Sequence, residues 1–319
     1  MSKKILPLAA ALLLAAVFVG AADSSPPEQV TILVPKSTAS LPLLLLAEQD
    51  PLPGIDLRAE VFLNHPRALA QLLRGEADLL YTGTSQGWEN HLGGGPLTLI
   101  NTGTWGVSYL MGKDPGIKSF EDLKGLRLAL PFPGSPLDFQ TRTLLVHAGL
   151  DPDHDLSIVY APPPQAVAQL LKGQVDVAPL PEPLATKLET GKGLLRLMAY
   201  TEAWAEFNGG EAASPQVSLF ATRDFSSRHS GLLADLVAAW RLATEQVVAD
   251  PEPAAHLCAG TLELPPPLIA TAARHTLLHV PSGAENHRLL LEYYETVKQQ
   301  LPGERPPLGK DFFFQAANE

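Results

Sequence analysis

The chain repeats itself. PRALAQLLRGEADLL at residues 66–80 returns as PQAVAQLLKGQVDVA at residues 164–178, an offset of 98. Eight of the fifteen positions match, among them Ala68/Ala166, Leu72/Leu170, Gly75/Gly173 and Asp78/Asp176. Each copy reads as a helix opened by proline, closed by a C′ glycine and followed directly by a buried strand. Such joints recur in many α/β proteins, so the repeat gains force from what precedes it. Residues 30–34, a β-branched run, and 126–130 read as strands, each ending in a proline-bearing loop and then a helical run, at 41–48 and 137–148. Residues 58–62 and 156–160 supply a second strand in each half. Each half therefore reads β-loop-α-β-α-β, which predicts parallel sheets covered on both faces. The consequence is two half-size α/β lobes rather than one large sheet.

Between the repeats, residues 97–111 read as a strand, a loop at Thr102-Gly103-Thr104-Trp105-Gly106, and a crossing strand at 107–111. Residues 216–222 form a second β-rich stretch that brings the chain back. Two crossing segments make a hinge, and a hinge between lobes suggests closure around a ligand. The remainder is mostly helical, with apolar stripes at 231–248 and 289–301.

In open parallel sheets, ligands sit outside the carboxyl ends of the strands. Four loops qualify: residues 35–40, 81–86, 132–136 and 180–183. Prolines border them (Pro35, Pro131, Pro133, Pro136, Pro181, Pro183) and would stiffen the cleft walls. Ser37, Thr38, Thr84, Ser85 and Ser135 fall at expected helix starts, where hydroxyls and free backbone N–H groups suit an anion or simply cap the helix. Lys36 pairs with an anionic group or stays solvated. Tyr81, Trp105 and Phe132 stack on a planar ligand or belong to the core. Glu182, in Pro-Glu-Pro, suits an amine or hydroxyl, or favours the helix dipole.

Composition removes other classes. The formal charge of −11 over 319 residues argues against a surface that grips nucleic acid. One cysteine, Cys258, excludes an intramolecular disulfide or a Cys-based zinc site, and reads as a buried apolar residue. Lys3 and Lys4, an apolar run at 5–19 and small residues to Ala22 form a charged, hydrophobic and cleavable leader, shorter than the ~20 residues of a spanning helix. Its expected removal after residue 22 places the protein in a bacterial periplasm and makes the remainder more acidic. Asp151, Asp153 and Asp155 begin a calcium-loop pattern that fails at Leu156 and Pro162. His275 and His279 lie four apart on an expected helix but lack a third ligand. No cofactor is called for.

With these residues on the page, the order of motifs resembles the periplasmic substrate-binding proteins of ABC importers. The likeness is to the NMT1/THI5-like group, with its nitrate-, sulfonate-, taurine- and thiamine-precursor-binding members. It is carried by residues 30–40, the LLRGEADLL joint, IKSFEDLKG at 117–125, GLDP at 149–152, KGQVDVAPLPEP at 172–183 and the helical region 221–259. The resemblance implies a two-lobe type II binding fold whose first lobe is built from both chain ends: residues 23–110 plus 217–319, with 111–216 as the second. It also implies a monomeric, non-enzymatic receptor that hands one small organic molecule or anion to a permease and ATPase complex, without nucleic acid. The competing reading is an exported serine hydrolase. Gly83-Thr84-Ser85-Gln86-Gly87 matches the nucleophile-elbow pattern G-x-S-x-G, although the glycine run at 93–95 lies downstream rather than upstream.

Overall fold

The structure, a computed structural model, describes residues 28–50, 52–209, 214–300 and 305–315. The expected leader, residues 1–22, lies outside them. In chain order the elements begin β1 (Glu28–Pro35), α1 (Leu41–Gln49), β2 (Ile55–Phe62), α2 (His65–Leu73), β3 (Leu79–Gly83), α3 (Thr84–Leu92) and β4 (Leu97–Gly106). Then come β5 (Ser108–Gly112), β6 (Arg127–Leu130), α4 (Pro136–His147), β7 (Ser157–Tyr160), α5 (Pro163–Leu171), β8 (Val177–Pro181), α6 (Leu184–Lys192), β9 (Leu195–Ala199) and α7 (Tyr200–Phe207). The last third holds β10 (Val217–Thr222), α8 (Arg223–Arg228), α9 (Ser230–Ala249), α10 (Glu252–Leu262), α11 (Pro266–Arg274), β11 (Leu277–Leu278) and α12 (Gly283–Val297).

Two sheets result. One has six strands in the order β11-β4-β10-β3-β1-β2, the other five in the order β7-β6-β8-β5-β9. The repeat now has a physical meaning. Asp78 and Asp176 stand where each repeat helix hands over to its strand, β3 or β8. A carboxylate oxygen of Asp78 accepts the backbone N–H of Thr31 at 2.8 Å, and Asp176 accepts that of Arg127 at 2.8 Å. Each aspartate ties the start of its own strand to the neighbouring β1 or β6. Gly75 and Gly173 close the helices at φ of 71° and 68°, a conformation that a side chain would strain.

The sheets are mixed, not purely parallel. β1 pairs in parallel with β2 and β3, and β6 with β7 and β8. β10 enters antiparallel between β3 and β4, and β5 runs antiparallel to β8 and β9. β10 and β5 are the crossing strands, which arrive from the opposite lobe and so run against the local βαβ direction, and the short β11 also runs antiparallel, to β4. Residues 102–106, expected as a loop, continue β4 to Gly106, because β10 and β11 flank them with ladder partners. The chain then changes sheet at Val107.

Side-chain burial follows from this layering. Leu41 to Leu46 of α1 are all buried, so that helix is apolar on every side and lies inside the first lobe. Trp88 of α3 and Phe139 of α4 stack across the lobes at 6.2 Å, and Tyr293 of α12 touches both Trp88 (6.2 Å) and Trp204 of α7 (4.8 Å). α12 therefore straps the two lobes together. The Phe312–Phe314 segment packs on the first lobe, where Phe314 N–H donates to the Leu99 carbonyl at 2.8 Å. Cys258 is buried. No described helix is long and apolar enough to cross a membrane.

Candidate functional site

The loops at the strand ends do converge, and in this conformation they touch. The Ser37 hydroxyl donates to the Glu182 carbonyl at 3.1 Å, and the Ser85 hydroxyl donates to the Gly134 carbonyl at 3.2 Å. Both bonds run from the first lobe to the second. Deeper in, a polar chain lines the crossing. Gln216 donates through its side chain to Gln140 at 2.9 Å, and Gln140 donates to the Ser214 hydroxyl at 3.1 Å. Ser214 donates in turn to the Trp105 carbonyl at 3.1 Å. All three side chains are buried, so each hydrogen bond offsets a desolvation cost.

Beside these contacts opens a cavity of about 1010 Å³ with walls from both lobes. Ser85, Gln86 and Glu89 of α3 form one wall, with Gln299 and Arg305 from the end of the chain. Phe132, Pro133 and Gly134 of the β6–α4 loop, Asp138 and Arg142 of α4, Asp153 and Tyr160 form the other. The polar groups are wired. Arg142 meets Asp138 (3.1 Å), Asp153 (2.9 Å) and the Tyr160 hydroxyl (3.1 Å), and Tyr160 donates to Asp138 at 3.0 Å. Desolvation opposes the Arg142 charge, yet its bonds to Tyr160 and Asp153 and the nearby Asp138 leave its pKa above the ordinary value. Across the cavity Arg305 pairs with Glu89 at 2.7 Å.

Of the residues singled out from sequence, Ser85 and Phe132 line this cavity, and Phe132 is half exposed. Ser135 sits at its edge, capping α4 by accepting Asp138 N–H at 3.1 Å. The others do not line it. Thr38 bonds the Thr276 hydroxyl at 2.8 Å, Thr84 bonds Ser218 at 2.8 Å, and Tyr81 bonds Thr104 at 2.6 Å with its ring edge-on to Trp240. Trp105 donates to the His279 carbonyl, and Lys36 pairs with Glu263 at 2.5 Å. Glu182 is buried in an ion pair. Arg196 donates to it at 2.6 Å while lying over the Tyr109 ring at 3.9 Å.

Asp138, Arg142, Tyr160 and Arg305 escaped the sequence reading. Three of them left a trace. Asp138 and Arg142 are four apart on the helix that follows a cleft loop, and Tyr160 ends β7 at the carboxyl edge. Arg305 left none, because it reaches the cavity from the far end of the chain. His275 and His279 do not share a helix: α11 ends at Arg274, since Thr276 and Leu277 turn into β11. Among the described residues no histidine, cysteine or acidic group of three is placed to hold a metal. Ser85 has a carbonyl rather than a histidine as its hydroxyl partner, unlike an activated nucleophile.

Comparison with known proteins follows the same lines. Residues 103–261, about half of the chain, match the profile of the NMT1-like family. A nitrate/nitrite binding protein NrtA of Nostoc is 33% identical over 94 residues, 30% of this chain and 21% of that protein. The match thus spans about one fifth of the curated relative. The periplasmic aliphatic sulphonate binding protein SsuA of Escherichia coli superposes with a TM-score of 0.69 at 23% identity, over 87% of this chain and 94% of SsuA. A ligand-binding component of an ABC-type import system from Staphylococcus aureus gives 0.73 at 15% identity, over 91% and 97%. The shared architecture is the two-lobe α/β fold of periplasmic binding proteins. Two of these proteins are named as binding proteins, and the third as the ligand-binding component of an import system.

Proposed function

We propose that this chain, an NMT1-like protein with a two-lobe α/β fold, is the solute receptor of an ABC import system. The observation that carries the reading is the cavity itself, about 1010 Å³, walled by both lobes and bordered by the Ser85–Gly134 hydrogen bond between them. It lies at the upper end of the ~300–1,000 Å³ usual for small-molecule sites. That size suits an organic molecule, such as an amino-pyrimidine or a sulfonate with an organic body, far better than a bare nitrate. In this reading the lobes are residues 23–110 with 217–319 and residues 111–216, close to the crossings at Val107 and Ser214. The leader at residues 1–22 directs export to the periplasm. There the receptor works as a monomer and delivers its ligand to a membrane permease and its ATPase.

A thermal-shift panel tests this. It would contain taurine, alkylsulfonates, nitrate, amino-pyrimidines, thiamine and riboflavin. A ligand at 1,000 times its Kd stabilises by about 4 kcal/mol, on the order of 10 °C in Tm for a chain of this size. A shift of that order is expected from one solute. A broad metabolite panel that moves Tm by less than a few degrees throughout would overturn the reading.

A further inference from the structure

His65 lies two hydrogen bonds away from the cavity. It stands at the first position of α2, which Asn64 caps by accepting the Arg67 N–H at 2.9 Å. Its ring meets Phe62 edge-on, with centroids 4.9 Å apart. Burial lowers its pKa to about 4, so the ring is neutral at neutral pH. A neutral imidazole carries one proton, on one of its two nitrogens. Its Nδ1 is 2.7 Å from the Thr82 hydroxyl, and that hydroxyl is 2.7 Å from the Gln86 side-chain oxygen. Thr82 is fully buried near the end of β3, and Gln86 lines the cavity from the first turn of α3. The Gln86 nitrogen has no partner among the described residues.

Counting protons gives this chain a direction. The Thr82 hydroxyl has a single proton, and the Gln86 oxygen can only accept. Thr82 therefore donates to Gln86 and has no proton left for His65. The short contact between Nδ1 and Thr82 then requires the proton on Nδ1. Were the ring proton on Nε2, Thr82 would donate to Nδ1, and the Gln86 amide would have to turn over and donate to Thr82. We infer that His65 is a positioning residue, held as the Nδ1–H tautomer, and that through Thr82 it keeps the Gln86 amide nitrogen turned to the cavity. For its consequence this rests on the receptor reading above. The first-lobe wall offers the solute a donor at Gln86, so the site selects for an acceptor atom at that point, whatever the charge of the solute. A solute with a donor there leaves two N–H groups facing each other and one hydrogen bond unmade. A side chain that touches no solute thus decides which hydrogen-bonding sense the site accepts.

Long-range nitrogen NMR of the full chain, with isotope-labelled histidine at neutral pH, reads the tautomer directly. It needs no solute, so its outcome is independent of the receptor reading. The His65 signals are assigned by their loss in His65→Gln. The proton is expected on Nδ1. Gln86→Glu keeps an acceptor for Thr82 and should leave that tautomer in place. Gln86→Met removes the acceptor, releases the Thr82 proton to Nδ1, and should shift the ring proton to Nε2. The Gln86 side-chain amide protons are expected to exchange with water as fast as those of a surface glutamine. A proton on Nε2 in the wild type overturns the inference. So does a His65 tautomer that Gln86→Met leaves unmoved, and so do Gln86 amide protons protected by a bond to Thr82.

Discussion

Glu182 shows how a residue's surroundings assign its work. Its position after β8, in Pro-Glu-Pro, suggests a carboxylate aimed at an amine. In the fold one oxygen takes Arg196 at 2.6 Å and the other takes the Thr186 N–H at 3.2 Å, while Arg196 also reaches the Thr186 hydroxyl at 3.1 Å. Both partners of this pair are withdrawn from water. Truncating one leaves the other charge buried, so Glu182→Ala should lower unfolding free energy by about 3 kcal/mol. Urea denaturation checks this, and a loss below 1 kcal/mol would return Glu182 to the solvated cleft. His65 gives a second prediction at this scale. Burial lowers its pKa to about 4, and its Nδ1 lies 2.7 Å from the Thr82 hydroxyl. The folded state holds the ring neutral, whereas the unfolded chain takes a proton near pH 6.5. Between those values the unfolded state binds more protons, so stability is full above pH 6.5 and falls as pH drops towards 4. The loss is on the order of 2–3 kcal/mol. Stability measured across pH 4–7 should show this slope, and His65→Gln should flatten it.

Among elements, the helix–glycine–strand joint is the part that the sequence described most faithfully. Its helix start, its positive-φ glycine and its buried strand are all local decisions, made by proline, glycine and a run of apolar residues. The aspartate at its end is different. Nothing near Asp78 in sequence reveals that its partner is the Thr31 N–H in β1, 47 residues away. Asp78→Ala removes that charge-assisted bond at the edge of the parallel pair and should cost about 1.5–3 kcal/mol. Chemical denaturation measures the loss; a neutral effect would mean that water replaces the carboxylate at the Thr31 amide. β4 marks where local reading fails. Thr102 to Gly106 carries two glycines and reads as a loop. It remains a strand because β10 and β11 supply its hydrogen-bond partners, and strand partners come from tertiary context.

For the whole molecule, the repeat implies two lobes, but the halves of the sequence are not the lobes. The last third returns through β10 into the first sheet, and α12 then runs against both lobes through Tyr293. The cavity follows from that return. One wall comes from the loop and helix after β6, which the carboxyl-end rule locates in sequence, and from which Phe132 was identified. Arg305 of the opposite wall arrives from more than 200 residues further along than Glu89, its partner. The hydroxyls of Ser37 and Ser85, placed at helix starts by the sequence, spend their bonds on carbonyls of the facing lobe, partners that no local signal reveals.

The sequence by itself determined the alternation of strands and helices, the doubled half, and two of the four expected loops, at 81–86 and 132–136, that contribute to the cavity. These are consequences of short-range periodicity and turn chemistry. Tertiary structure alone decided the direction of the crossing strands, the burial of Glu182 against Arg196, and the ring of charge around Arg142. Those depend on which distant groups share a low-dielectric space, and the cost of leaving a buried polar group unpaired is settled by its neighbours in three dimensions.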